Sequence, residues 1–154
     1  VDLSIVNSVN SSNFKRPHQI VSKILNHFNN NLENKTIAVL GLSFKPNTDD
    51  VRDSTSIIIA ESLYKKKGII KAYDPKAMAN AKLVLPDIDY LNTIQDACTN
   101  ADAIVIATEW NEFRALNFKL LKTLMKDNVI FDLRNIYNKD ELTNLKFEYY
   151  GIGK

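Results

Sequence analysis

Short apolar runs rich in β-branched residues alternate along this chain with longer segments whose apolar positions recur every three or four residues. The clearest run is Thr36–Gly41 (TIAVLG), which ends at a glycine and reads as a strand buried on both faces, as parallel sheets use. A polar, turn-prone loop follows, and STSIIIAESL then predicts a helix over Ser54–Lys67. Asp53 or Ser54 can cap its start, while three lysines and Gly68 suit the negative helix end and a left-handed cap. Ile69–Tyr73 reads as a second strand closed by Asp74 and Pro75. Beyond it the pattern predicts short helices over Ala77–Leu85 and Thr93–Asn100 and a buried strand over Asp102–Thr108. Leu116–Lys126 predicts a helix with Leu120, Leu121, Leu124 and Met125 inward. Val129–Leu133 predicts a strand, Lys139–Leu145 a short helix and Phe147–Tyr150 an edge strand, whereas Ile88–Leu91 is too short to assign. Strands alternating with helices at this spacing give an α/β fold, a Rossmann-like doubly wound and mostly parallel sheet.

Residues 1–33 read as a helical arm ahead of that sheet. Leu3, Val6 and Val9 recur at helical spacing, and Ile20, Val21, Ile24, Leu25 and Phe28 form a clearer stripe. Pro17 lacks a backbone donor, so it either opens the second helix in its first turn or kinks one longer helix. The polar turn Asn29–Asn34 divides this arm, 1–33, from the α/β domain, 34–154, and an amphipathic segment so placed is expected to pack on a neighbour.

Composition narrows the function. With 154 residues, 45% of them hydrophobic, the chain can bury one core. The 20 basic and 18 acidic residues nearly cancel, which argues against a nucleic-acid partner, and no apolar run approaches the ~18 residues of a membrane span. The opening VDLSIVNSVN lacks the pattern of a signal peptide, and the single Cys98 cannot form an internal disulfide, so a cytoplasmic setting is expected. Four glycines leave no G-x-G-x-x-G phosphate cradle.

The candidate chemistry sits on the loop after Gly41, beyond the carboxyl end of a strand, where open α/β sheets bind ligands. Lys45 offers a flexible point charge to a diphosphate or sugar oxygen, or is simply a solvated loop lysine. Arg52 pairs with Asp49, Asp50 or Asp53 to stiffen the loop, or meets a phosphate, since its fork can serve both. Arg134, just past another strand, converges on the same anion or lies on the surface. Asp74 ends the second strand as a ribose-binding acid would, but lies further from Gly41 than the usual ~20 residues, which favours a turn aspartate. Trp110 reads as a packing anchor after the strand or as a wall of the ligand pocket, Thr48, Asp49 and Asp50 as loop-shaping hydrogen bonders, and Cys98 as a small packed residue. His18 and His27, nine residues apart, have no metal-ligand spacing, so no metal site is expected.

The segments GLSFKPNTDDVRDS (Gly41–Ser54), YDP (Tyr73–Pro75), ATEWNEF (Ala107–Phe113), FDLRNIY (Phe131–Tyr137) and FEYYGIGK (Phe147–Lys154) together resemble the C-terminal, UDP-sugar-binding domain of the UDP-glucose/GDP-mannose dehydrogenase family. The resemblance covers nearly the whole chain, with the arm similar to the end of the family's central dimerisation helix. FKPNTDDVRDS with a late FDLRNIY looks closer to the UDP-glucose branch than to the N-acetylmannosamine or GDP-mannose branches, which stay as alternatives, as does a stand-alone module binding a nucleotide or a partner. The resemblance implies UDP-glucose as ligand, contacted by Phe44, Lys45 and Arg134, and NAD as cofactor, approached by Arg52 but held mainly by a separate N-terminal domain. Leu133 stands where the family commonly has glycine. The resemblance also implies a homodimer or larger assembly through the arm, with the rest of the same polypeptide as partner. No catalytic-cysteine segment is recognisable, so the piece is expected to be inactive alone.

Overall fold

The computed structural model describes residues 16–152. In chain order the elements are α1 (residues 16–27), β1 (Thr36–Leu40), α2 (Thr55–Lys65), β2 (Ile69–Tyr73), α3 (Met78–Val84), β3 (Asp89–Tyr90) and α4 (Ile94–Cys98). There follow β4 (Ala103–Ile106), α5 (Asn111–Arg114), α6 (Phe118–Leu124), β5 (Val129–Asp132), α7 (Lys139–Asn144) and β6 (Glu148–Gly151).

The strands form one sheet in the order β3-β2-β1-β4-β5-β6, and every pairing is parallel. The order reverses between β1 and β4, so the crevice beyond their carboxyl ends is the topological switch point, where ligands bind in this class of sheet. β4 is buried throughout and β1 at every position after the half-buried Thr36, because helices cover both faces and strand side chains alternate between them. Ile37 and Val39 join α1, α2 and α3 in one apolar cluster, while Ala38 and Leu40 join α4, α6 and α7 in the other.

The arm sharpens this picture. Ile20, Val21, Ile24, Phe28 and Leu32 are buried in the same cluster as Val39, Ile59 and Phe131. Residues 16–33 therefore pack as part of the core, and the turn at Asn34 separates arm from sheet in sequence rather than in packing. Pro17 lies inside the helical stretch 16–27; the stripe of Leu3, Val6 and Val9 falls outside the described residues.

Local departures have physical causes. The left-handed residue closing α2 is Lys67 (φ 73), not Gly68. Gly68 serves close packing instead, because a Cβ there would meet the Leu63 carbonyl oxygen at 3.0 Å. Ser54 occupies the N-cap of α2 without capping it, since its hydroxyl donates to the Leu42 carbonyl (2.8 Å). α6 is shorter than its periodicity suggests, with Leu121 and Met125 buried but Leu120 40% exposed. β3, at the sheet edge, is only two residues long.

Candidate functional site

The loop from Gly41 to Ser54 is shaped from inside. Gly41 takes φ +101, a conformation available mainly to glycine, and its N–H donates to the Tyr73 carbonyl (2.8 Å). The next two N–H groups, of Leu42 and Ser43, donate to one oxygen of Asp74 at 2.7 and 3.1 Å. The other Asp74 oxygen accepts from the N–H groups of Lys76 and Ala77 at 2.9 and 2.8 Å. Asp74 is fully buried, so one carboxylate ties the end of β1 to the turn after β2. This is more than the turn role its sequence position suggests.

That arrangement bears on dinucleotide binding. In a nucleotide-binding Rossmann unit the first βα turn offers its N–H groups to a pyrophosphate, and an acid from the second strand reaches the ribose. Here the second-strand acid is turned inward and holds those N–H groups itself. The described residues do not fit NAD in that manner.

Further along, the loop is held by its own side chains. The Asp50 N–H donates to Thr48 Oγ1 (3.2 Å), and Asp50 accepts from Arg52 through Nε (3.0 Å) and Nη2 (2.9 Å). The bidentate bond from Arg52 holds the Asp50 carboxyl down at about 2, and Asp50 raises Arg52 in turn. The partner left open by the sequence is therefore Asp50. Asn80 on α3 donates to the Asp49 carbonyl (2.9 Å), pinning the loop over that helix. Trp110 is buried, as an anchor should be, and its Nε1 donates to Ser43 Oγ (3.3 Å). Phe44 and Lys45 stand out from the loop into solvent, Phe44 being 51% exposed.

On the β5 side, the buried Asp132 accepts from the N–H groups of Arg134 (3.2 Å) and Tyr137 (3.0 Å) and from the Tyr149 hydroxyl (2.8 Å). Burial, and then the bond to Asp132, raise Tyr149 far above an ordinary phenol. Leu133 is not left-handed; Asn135 is (φ 54), so the turn does not require a glycine at 133. Arg134 Nε donates to the Ala107 carbonyl (3.0 Å), which lays the side chain across the carboxyl end of β4.

A cavity of about 100 Å³ opens there, lined by Arg16, Thr55, Ser56, Ala107, Leu133 and Arg134 over the apolar Ile20 and Ile59. Phe44 and Lys45 do not line it, and Arg52 lines a separate open groove with Asn80, Leu83 and Val84. The four candidate residues thus share the carboxyl-end side of the sheet without sharing one cavity. Arg16 carries no motif, and its only signal in the sequence is a position one turn before the arm's apolar stripe.

A family model for the UDP binding domain of the UDP-glucose/GDP-mannose dehydrogenase family matches residues 38–139. The chain belongs to this family. As a UDP binding domain of that family it is 41% identical over 155 residues to the UDP-glucose 6-dehydrogenase of Rickettsia conorii, a match spanning 99% of this chain and 36% of that protein. It is also 41% identical over 150 residues to the UDP-glucose 6-dehydrogenase of Rhizobium meliloti, spanning 97% of this chain and 34% of that protein. Among solved structures, a UDP-glucose dehydrogenase from Pyrobaculum islandicum superposes with a TM-score of 0.83 at 28% identity, covering 98% of this chain and 32% of that one. The chain spans about a third of the length of the curated relatives it matches. These matches agree with the α/β doubly wound expectation and with the family named from the motifs.

Proposed function

We propose that this domain is the nucleotide-sugar-binding part of an NAD-dependent UDP-glucose 6-dehydrogenase, which oxidises UDP-glucose to UDP-glucuronate. The observation that carries the reading is the placement of Arg134, beside the switch-point crevice of a family UDP binding domain and without a carboxylate partner among the described residues. Lys45 and Phe44, exposed on the loop after β1, supply a second cation and an aromatic face to the same ligand. Arg52, fixed by Asp50, is presented on the outer side of that loop, towards a cofactor held by another part of the polypeptide. The bound cofactor would accept the hydride, whereas the residues here bind and orient the nucleotide sugar. Cys98, the single cysteine of the sequence, is buried in the α4 face of the core, and burial pushes its thiol up to about 12, which does not suit a nucleophile. On this reading the reacting cysteine belongs to another part of the polypeptide, and the isolated chain binds without turnover.

The same reading makes the protein cytoplasmic, in keeping with one buried, unpaired cysteine and no described helix long and apolar enough to cross a membrane. It also makes the enzyme a homodimer or larger assembly. The apolar stripe of 16–28 is occupied by the domain's own core, so assembly through this part of the arm would use its polar outer face.

Calorimetric titration of the 154-residue chain with UDP-glucose, UDP and NAD⁺ tests the assignment. UDP ligands should bind, Lys45→Ala or Arg134→Ala should weaken them, and NAD⁺ should give no heat. Binding of NAD⁺ with no response to UDP-glucose would overturn it.

A further inference from the structure

Of the four arginines in the sequence, two are engaged with carboxylates: Arg52 with Asp50 at 2.9 Å and Arg114 with Glu109 at 3.3 Å. The other two, Arg16 and Arg134, have no carboxylate partner among the described residues, and both line the cavity at the switch point. Arg134 reaches it from the turn after β5, and its Nε bond to Ala107 leaves both terminal guanidinium nitrogens without a protein acceptor among the described residues. Arg16 reaches it from the first described turn of α1, a helix fixed to the same core by Ile20 and Ile24.

Two exposed arginines lining one small cavity give it a positive rim, which an anion between them would neutralise. The remaining polar wall carries no negative charge. It comprises Thr55 and Ser56 from the first turn of α2, a turn with no acidic residue and no side-chain cap. Size restricts the occupant. At about 100 Å³ the cavity is far smaller than the roughly 300–1,000 Å³ that encloses a whole small ligand, so it admits one compact group. A phosphate-type oxyanion suits arginine forks, which present paired donors to such groups.

We infer that Arg16 and Arg134, brought together across the arm and the β5 turn, form a binding site for a single phosphate-type group. The group belongs either to the diphosphate of the nucleotide sugar or to a free inorganic anion of the same chemistry, such as pyrophosphate. In the first case the inference rests on the function proposed above and adds Arg16 to the residues that read the substrate. In either case the anion bridges α1 to the β5 turn, so ligand binding stabilises the domain with its arm in place.

The test is titration of the 154-residue chain and its Arg16→Gln variant with UDP, uridine and inorganic pyrophosphate, with circular dichroism confirming that the variant folds. Arg16 is exposed, so the substitution should leave the fold intact. Loss of one charge-assisted contact should weaken UDP on the order of tenfold, with any affinity for uridine unchanged. Pyrophosphate binding that weakens on the same substitution, in a chain that does not bind UDP, would keep the anion site and overturn the nucleotide-sugar assignment. UDP and pyrophosphate affinities both unchanged by Arg16→Gln would overturn this inference and leave that assignment standing. No binding of either ligand at millimolar concentration would sink both.

Discussion

Gly41 and Thr108 meet across the switch point so closely that a Cβ on Gly41 would lie 2.0 Å from Thr108 Oγ1 and 2.8 Å from the Thr108 backbone nitrogen. Parallel pairing of β1 with β4 brings the two strand ends side by side, and the φ of +101 at Gly41 turns the chain away at that point. Gly41→Ala combines a strained backbone with a clash and should cost roughly 2–5 kcal/mol in urea denaturation. Adding Thr108→Ala removes the hydroxyl but neither the backbone nitrogen nor the strain, so it should restore only part of the loss. Full rescue by the double variant would show that side-chain overlap alone forbids a larger residue.

Asp74 organises the same turn through its charge. Its four N–H partners all donate, and an asparagine of the same shape offers an acceptor on one side only. Asp74→Asn should therefore strand two buried donors and cost roughly 2–5 kcal/mol. Asp87→Asn, at an exposed position, should stay within about 0.5 kcal/mol. Equal denaturation midpoints for the two variants would refute the structural role assigned to Asp74.

The arm can be tested as part of the fold. Ile24 is fully buried between α1 and the sheet, so Ile24→Ala should destabilise the whole domain by about 2–5 kcal/mol in a single cooperative transition. A variant that melts in two steps, with the sheet unaffected, would mean that the arm docks as a separate unit.

Alkaline stability reports the burial of Cys98. Burial raises its thiol from 9.0 to about 12, so the folded state keeps a proton that the unfolded state has released. That stabilisation is fully present below pH 9 and is lost as pH rises from there towards about 12, at up to ~1.4 kcal/mol per pH unit. Cys98→Ala should flatten the stability-against-pH curve in this window, measured by urea denaturation at each pH. In the native protein the thiol should react with a disulfide reagent only as fast as the domain opens.

The elements and the fold class were legible because parallel strands and amphipathic helices impose their periods on consecutive residues. TIAVLG, Asp102–Thr108 and Val129–Leu133 could scarcely be anything but buried strands once helices lay between them. The motifs also placed Phe44, Lys45, Arg52 and Arg134 on loops at one end of the sheet, and alternation of strand and helix made that end the carboxyl one. What periodicity encodes is which face of an element is apolar. It does not encode which elements meet.

Tertiary structure decided the meetings. Asp74 lies 32 residues from Leu42, and it turns inward because β2 is the neighbour of β1, a fact of strand order rather than of local pattern. Lys67 takes the left-handed turn that Gly68 was better suited to, because Gly68 is needed where the chain passes the Leu63 carbonyl. Arg52 could have chosen among three aspartates, and the loop's own geometry selected Asp50. Arg16 had no signal of its own, because its surroundings come from α2, β4 and the β5 turn, all distant in sequence. The sequence by itself determined the strands, the helices and the end of the sheet that carries the loops. Packing of both faces of a parallel sheet, whose crossovers bring distant residues into contact, determined which charges meet there.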